Sequence, residues 1–195
     1  MAHLRPLEYN EIEDTQVREK IEGYEKIRGF VPNSIRTMAR RSSIARAFMD
    51  LNKAVLYDGT VPEATKMLVS LSVSLATGCK YCQSHMTNLS SIYKVADEKI
   101  AALLNFEESA LFSEAEKAAI NIGFKSAALP NEATQADFDR LAQHYSEAEI
   151  VEIIATVSLF GYLNRWNDTM ATQVETVPAE LTKRVFNDWD EGKHQ

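Results

Sequence analysis

Gly78-Cys79-Lys80-Tyr81-Cys82-Gln83-Ser84-His85 holds both cysteines of the chain and one of its four histidines. Thiols three residues apart on a helix lie one turn from each other, so their sulfurs can meet. Gly78 reads as the stop of one helix and Cys79 as the opening of the next. At such an N-terminus the free N–H groups and the helix dipole favour a thiolate over a thiol. His85 lies one turn further on, roughly 60° around the helix from Cys82 and about 120° from Cys79. Two thiols with a base beside the second are equipped for two-electron redox chemistry.

Three other readings of these residues carry less weight. A zinc site needs four ligands, and His85 supplies only a third. His144, the other histidine away from the termini, stands in no close zinc-finger spacing. Inert buried cysteines are common, but Lys80, Gln83 and Ser84 make the turn too polar for that. A thioredoxin-like motif belongs in a βαβ pattern, which the sequence lacks. No metal and no cofactor is expected.

The elements that must hold this stretch read almost entirely as helix, since no β-branched alternation lasts and no Asn-Gly or Asp-Gly hairpin occurs. Val17, Ile21, Tyr24 and Ile27 recur at helical spacing between Asp14 and Arg28, and Gly29 stops that helix. A second helix runs through Ile35 and Met38, and a third from Ser43 through Leu56. Thr60/Glu63, Ser113/Glu116 and Ser146/Glu149 each have the spacing of a capping box. They precede apolar runs at Met67–Ala76, Ala118–Phe124 and Ile150–Leu163. Further helices are expected from Cys79 to about Lys94, after Asp97, from Thr134 through Leu141, and from near Pro178 through Trp189. The expectation is a single all-α domain over residues 1–195, of roughly nine or ten helices.

Composition narrows the function further. A net charge of −7 argues against nucleic acid, which needs a basic stripe; Arg36, Arg40, Arg41 and Arg46 read as a solvated face. No run reaches the ~18 apolar residues of a membrane span. The start of the chain lacks a signal-peptide core, and two closely spaced cysteines favour catalysis in a reducing cytoplasm over a structural bridge.

Outside the dithiol, Glu63 and Glu116 read first as capping residues. His3 and His194 lie near the ends and read as mobile. In Asn164-Arg165-Trp166-Asn167-Asp168 an apolar helix turns abruptly polar, which is expected to be a hydrogen-bond network within the core rather than the wall of a site.

Gly78–His85, Phe112-Ser113-Glu114-Ala115-Glu116, Gly161–Asp168 and the upstream Arg28-Gly29-Phe30-Val31-Pro32-Asn33 together resemble the carboxymuconolactone decarboxylase family, in its alkylhydroperoxidase D-like, peroxidase-related branch. The likeness runs from residue 28 to 168, leaving 1–27 as an N-terminal extension and 169–195 as a C-terminal helix. It implies an alkylhydroperoxidase D-like multi-helix bundle and a homo-oligomer: dimer, trimer or hexamer. It also implies a dithiol that reduces a peroxide and is recycled by a dithiol or protein reductant. Cys82 would attack, Cys79 would resolve the sulfenic acid as a disulfide, and His85 with a glutamate would relay protons. Met67 stands where the family's peroxidases carry that glutamate, so Glu116 is the substitute.

Helix position alone favours Cys79 as the nucleophile, by less than one pKa unit. Pairing with His85 favours Cys82 by more, which makes Cys82 the expected peroxide-reactive thiol. A redox sensor or disulfide-exchange protein is the alternative function.

Overall fold

Helix α4 (Glu63–Thr77) has no polar stripe to turn toward water, and the other helices enclose it. The computed structural model describes residues 2–195. Ten α-helices follow one another: α1 (Thr15–Arg28), α2 (Asn33–Met38), α3 (Ser42–Leu56), α4, α5 (Lys80–Ile92), α6 (Asp97–Ala101), α7 (Glu114–Ala127), α8 (Gln135–Ala142), α9 (Glu147–Met170) and α10 (Thr176–Val185). Three short 3₁₀ turns complete the regular structure, and no strand occurs among the described residues. This is the all-α class expected from the spacing of apolar residues.

Helix α4 packs on α5, α7 and α9. Its serines are buried without cost to hydrogen bonding, because Ser70, Ser72 and Ser74 each donate back to a carbonyl of their own helix at 2.7–2.8 Å. Helix α7 approaches α4 at Gly123, where a Cβ would stand 2.1 Å from Ser72 Oγ and 3.2 Å from the Val69 carbonyl. Residues before α2 also belong to the packed structure. Val17 and Ile21 are fully buried, and the Arg36 guanidinium ties down the Leu7 carbonyl at 2.7 Å and the Glu8 carboxylate. Arg46 likewise pairs with Asp14 and Arg40 donates to the Arg5 carbonyl at 3.0 Å, so three of the four clustered arginines clamp the N-terminal segment instead of forming a free solvated face.

Two capping boxes form as expected, Ser113/Glu116 on α7 and Ser146/Glu149 on α9. The Thr60/Glu63 box does not form, and Pro62 takes the N-cap of α4. The reason lies across the fold. Lys66 is only 1% exposed and needs a counter-ion, which Glu152 of α9 supplies at 2.9 Å. The same carboxylate accepts from the N–H groups of Thr60 and Val61, at 3.0 and 3.1 Å. A distant residue has therefore satisfied the donors that a local box would have used. A further box, Thr134/Asp137, opens α8.

The α4–α9 clamp can be tested. Glu152→Ala strands the Lys66 ammonium in the interior and is expected to cost about 3 kcal/mol, read as a lower urea midpoint. Glu152→Gln, which keeps hydrogen-bonding atoms near Thr60 and Val61, should lose less. An unchanged midpoint in Glu152→Ala would show that the clamp contributes nothing.

Candidate active site

Gly78 adopts the left-handed conformation (φ 79°) that lets the chain leave α4 and turn at once into α5. This reversal places Cys79 at the N-cap of α5, where its sulfur accepts the N–H of Cys82 at 3.4 Å. The seat is one that Ser, Thr or Asp usually fills, and it rewards negative charge. Both cysteines are free and buried, with their sulfurs within hydrogen-bonding reach of each other.

The two thiols are unequal. The Cys82 thiol donates to Cys79, and this is the main influence that brings the Cys79 pKa down to about 6 against the opposing effect of burial. His194 and the Cys82 N–H add to it. Burial pushes Cys82 well above the ordinary thiol value, as does the charge on its neighbour. Cys79 is thus the more acidic thiol of the pair. Asn167 Nδ2 donates to Cys82 Sγ at 3.4 Å.

Each sulfur has its own imidazole and carboxylate. On the Cys82 side, His85 Nε2 lies 2.6 Å from Glu175 Oε2. The ring stacks on Tyr81 at 4.2 Å and meets the edge of Phe30. Glu175 also accepts from the Tyr81 hydroxyl at 3.2 Å and from the Asn33 N–H. Burial raises the Glu175 pKa, but the nearby His85 and the donated hydrogen bonds outweigh it and hold the group below the usual value. His85 and Cys82 line one narrow cavity of about 40 Å³. Its other walls include Ile35, Phe48, Leu56, Leu89 and Phe160.

On the Cys79 side stands His194, which the sequence places at a mobile end. It is in fact 1% exposed, held by a 3₁₀ turn with Nδ1 2.8 Å from the Thr172 carbonyl. Its Nε2 is 3.5 Å from Asp168, and donor atoms of Cys79, Asp168 and His194 all lie within 4.8 Å of one another. Burial lowers the His194 pKa, but its contacts with Cys79 and Thr172 raise it above the ordinary value. By spacing alone these atoms could also hold a metal ion. Lys193 already neutralises Asp168 at 2.7 Å, so the trio reads as a thiol, an imidazole and a carboxylate drawn together, with His194 Nε2 not yet hydrogen-bonded to either neighbour.

The structure therefore brings together Cys79, Cys82 and His85, but adds Glu175 and His194, which the sequence reading missed. Glu116 is occupied elsewhere: it accepts from Ser113 N at 2.9 Å and Lys99 Nζ at 2.7 Å, and it lines neither cavity at the thiols. Met67 is fully buried. Nothing local marks Glu175, which is 90 residues from His85. The polar run on α9 does not pair with itself. Asn167 serves Cys82 and Asp168 faces His194, while Asn164 has no partner for either end of its amide. It is the wall of a site.

Comparison with known proteins agrees with this architecture. Residues 43–123 match the carboxymuconolactone decarboxylase family. The debrominase Bmp8, solved as a cysteine-to-alanine variant with 2,3,4-tribromopyrrole, is 31% identical to the chain. The alignment covers 95% of this chain and 98% of that one, with a TM-score of 0.87. The chain belongs to the carboxymuconolactone decarboxylase family. It shares its fold with an uncharacterised peroxidase-related protein from Ralstonia eutropha JMP134, described as an alkylhydroperoxidase AhpD core. That protein is 22% identical, over 93% of this chain and 95% of its own, with a TM-score of 0.81. The uncharacterised YdfG of Bacillus subtilis is 23% identical over 63% of this chain and 81% of its own length. No helix among the described residues is long and apolar enough to cross a membrane.

The lowered Cys79 pKa makes a testable statement. The first thiol of the reduced protein should ionise near pH 6, followed by thiolate absorbance or by the rate of single alkylation. Cys82→Ala removes the main donor and should move that ionisation upward. An unshifted ionisation would mean that Cys82 does not stabilise the Cys79 charge.

Proposed function

We propose that this protein is a thiol-dependent hydroperoxide reductase. The observation that carries the reading is a pair of buried free thiols one helical turn apart, the first at the N-cap of α5, with a carboxylate-bound imidazole on the cavity that reaches Cys82. Room of about 40 Å³ corresponds to roughly three water-sized spheres. That is enough for a peroxide O–O group beside the sulfur, with Phe48 and Leu56 facing a small apolar remainder.

Cys82 attacks the terminal oxygen and gives its proton to the Cys79 thiolate, which acts as its base. The O–O bond breaks and the alkoxide takes a proton delivered by His85, which Glu175 orients. Cys82 is then a sulfenic acid. The Cys79 sulfur displaces the hydroxyl, which leaves as water with the Cys79 proton, and the disulfide closes. In sum, ROOH and two thiols become ROH, water and one disulfide. The low pKa of Cys79 suits it to resolution, because it gives up its proton readily; as a weak base it takes the Cys82 proton only as the S–O bond forms and makes that proton acidic.

Reductive dehalogenation is a second reading, favoured by the 31% identity to the debrominase across 95% of the chain. The electron flow is the same with a halogen in place of the terminal oxygen: R–X and two thiols give R–H, HX and a disulfide. The family resemblance implies a homo-oligomer.

Thiol titration against an organic hydroperoxide and against a halogenated aromatic, with halide release measured, separates the two. Two thiols lost per peroxide, and an intramolecular Cys79–Cys82 bridge by mass spectrometry, are expected. Turnover with added reductant distinguishes an enzyme from a stoichiometric sensor. Cys82→Ser should abolish the reaction, and Cys79→Ser should react once, slowly, and stop at a sulfenic acid. His85→Ala should slow the first step about 100-fold. If Cys79→Ser alone abolishes peroxide reactivity, the roles of the two sulfurs are reversed. Sedimentation at micromolar concentration should find more than one subunit.

A further inference from the structure

The two sulfurs open onto different cavities that share no wall residue. Cys82 ends the narrow one between α1, α2, α3, α5 and α9. Cys79 borders a second of about 570 Å³, walled by α4, by α9 and by the end of α7 with the residues that follow it. This volume is in the range of small-molecule sites, whereas the first admits little more than the reacting atoms. The larger cavity carries polar groups without a task. Asn164 is 4% exposed, lines it, and has no hydrogen-bond partner for its amide nitrogen or its amide oxygen. A buried amide of that kind calls for a partner, which water or a ligand in the cavity can supply. Arg165, one residue on, lines the cavity from its exposed side and makes no ion pair among the described residues, while Asp168 is neutralised by Lys193. The wall therefore offers an amide donor, an amide acceptor and one free cation.

We infer that the oxidised dithiol is re-reduced through this second cavity by a small peptide-like thiol bearing a carboxylate, which attacks Cys79. The inference rests on the dithiol chemistry proposed above and assigns its return half. The incoming thiol loses its proton to His194, and its sulfur bonds to Cys79 while the Cys79–Cys82 bond breaks. Cys82 leaves with the electron pair and is protonated. A second thiol attacks the sulfur of the first, releasing a symmetrical disulfide and returning Cys79 as a thiolate against His194 and the start of α5. Leaving-group strength alone would favour attack on Cys82, because Cys79 is the better leaving group. Access decides otherwise, since a peptide-sized thiol does not fit about 40 Å³. Arg165 would hold its carboxylate, and Asn164 would pair with its amide.

The test begins from full-length protein oxidised with diamide, so that neither a peroxide nor a halogenated substrate is needed. Reduction is then timed with glutathione and with 2-mercaptoethanol, a neutral thiol. Glutathione is expected to be faster. Arg165→Gln should slow it about 10-fold, the loss of one charge-assisted hydrogen bond, and leave the 2-mercaptoethanol rate within about 2-fold; Arg165→Lys should restore part of the difference. Quenching early should trap glutathione on Cys79. Equal rates for the two thiols, a trapped adduct on Cys82, no effect of Arg165→Gln, or reduction by a protein dithiol alone would each overturn the inference. Failure of diamide to close the bridge would overturn the dithiol function as well. A bridge that glutathione reduces as described, in a protein inert to peroxide and halide, would leave this inference standing and remove only the substrate assignment.

Discussion

The seating of Cys79 at the N-cap of α5, one turn from a second buried thiol, is the arrangement on which the rest of this site depends. It exists because Gly78 ends α4 in a left-handed turn and lets Cys79 serve as the N-cap of α5. A lone buried thiolate would be costly and would take up a proton instead. Here the neighbouring thiol, a backbone N–H and a protonatable imidazole together offset that cost at Cys79, and the same arrangement keeps Cys82 neutral. The thiol proposed as nucleophile and the thiol proposed as base and resolving group thus fit within one helical turn.

The stretch from Asn164 to Glu175 provides much of what surrounds the sulfurs. Asn167 contacts Cys82, Asp168 faces His194, Thr172 orients His194 through its carbonyl, and Glu175 binds His85. A polar run at the end of an apolar helix is thereby explained: its side chains are aimed at sulfur and imidazole instead of at each other. The two imidazole–carboxylate pairs lie on separate sides of the dithiol, so oxidation and reduction need not compete for one opening.

Rigid support comes from α4. Its burial on all sides fixes where α5 begins, and the Lys66–Glu152 pair fixes α4 against α9, the helix that carries Asn164, Asn167 and Asp168. Small residues at the contacts, Gly123 against Ser72 above all, let the helices come close enough for both sulfurs to be buried. Misplacing α9 by even part of a turn would separate Asn167 from Cys82 and Asp168 from His194.

By itself the sequence determined what depends on near neighbours. Helical spacing of apolar residues set the ten helices, Gly29 and Gly78 set their stops, and Ser113 and Ser146 set two of the caps. The spacing of Cys79, Cys82 and His85 placed thiols and base on one helix start, because i, i+3 geometry is local. Tertiary structure decided the partners. Glu116 fitted its local box so well that it stayed there, and Glu175, far along the chain, reached His85 instead. His194 carried no signal at all, since a residue near a chain end is ordered only if something distant ties it down, here Thr172. Which thiol is the more acidic was likewise beyond the sequence. That depends on burial, on the hydrogen bond between the two sulfurs and on an imidazole delivered from the far end of the chain, and none of these has a local period to read.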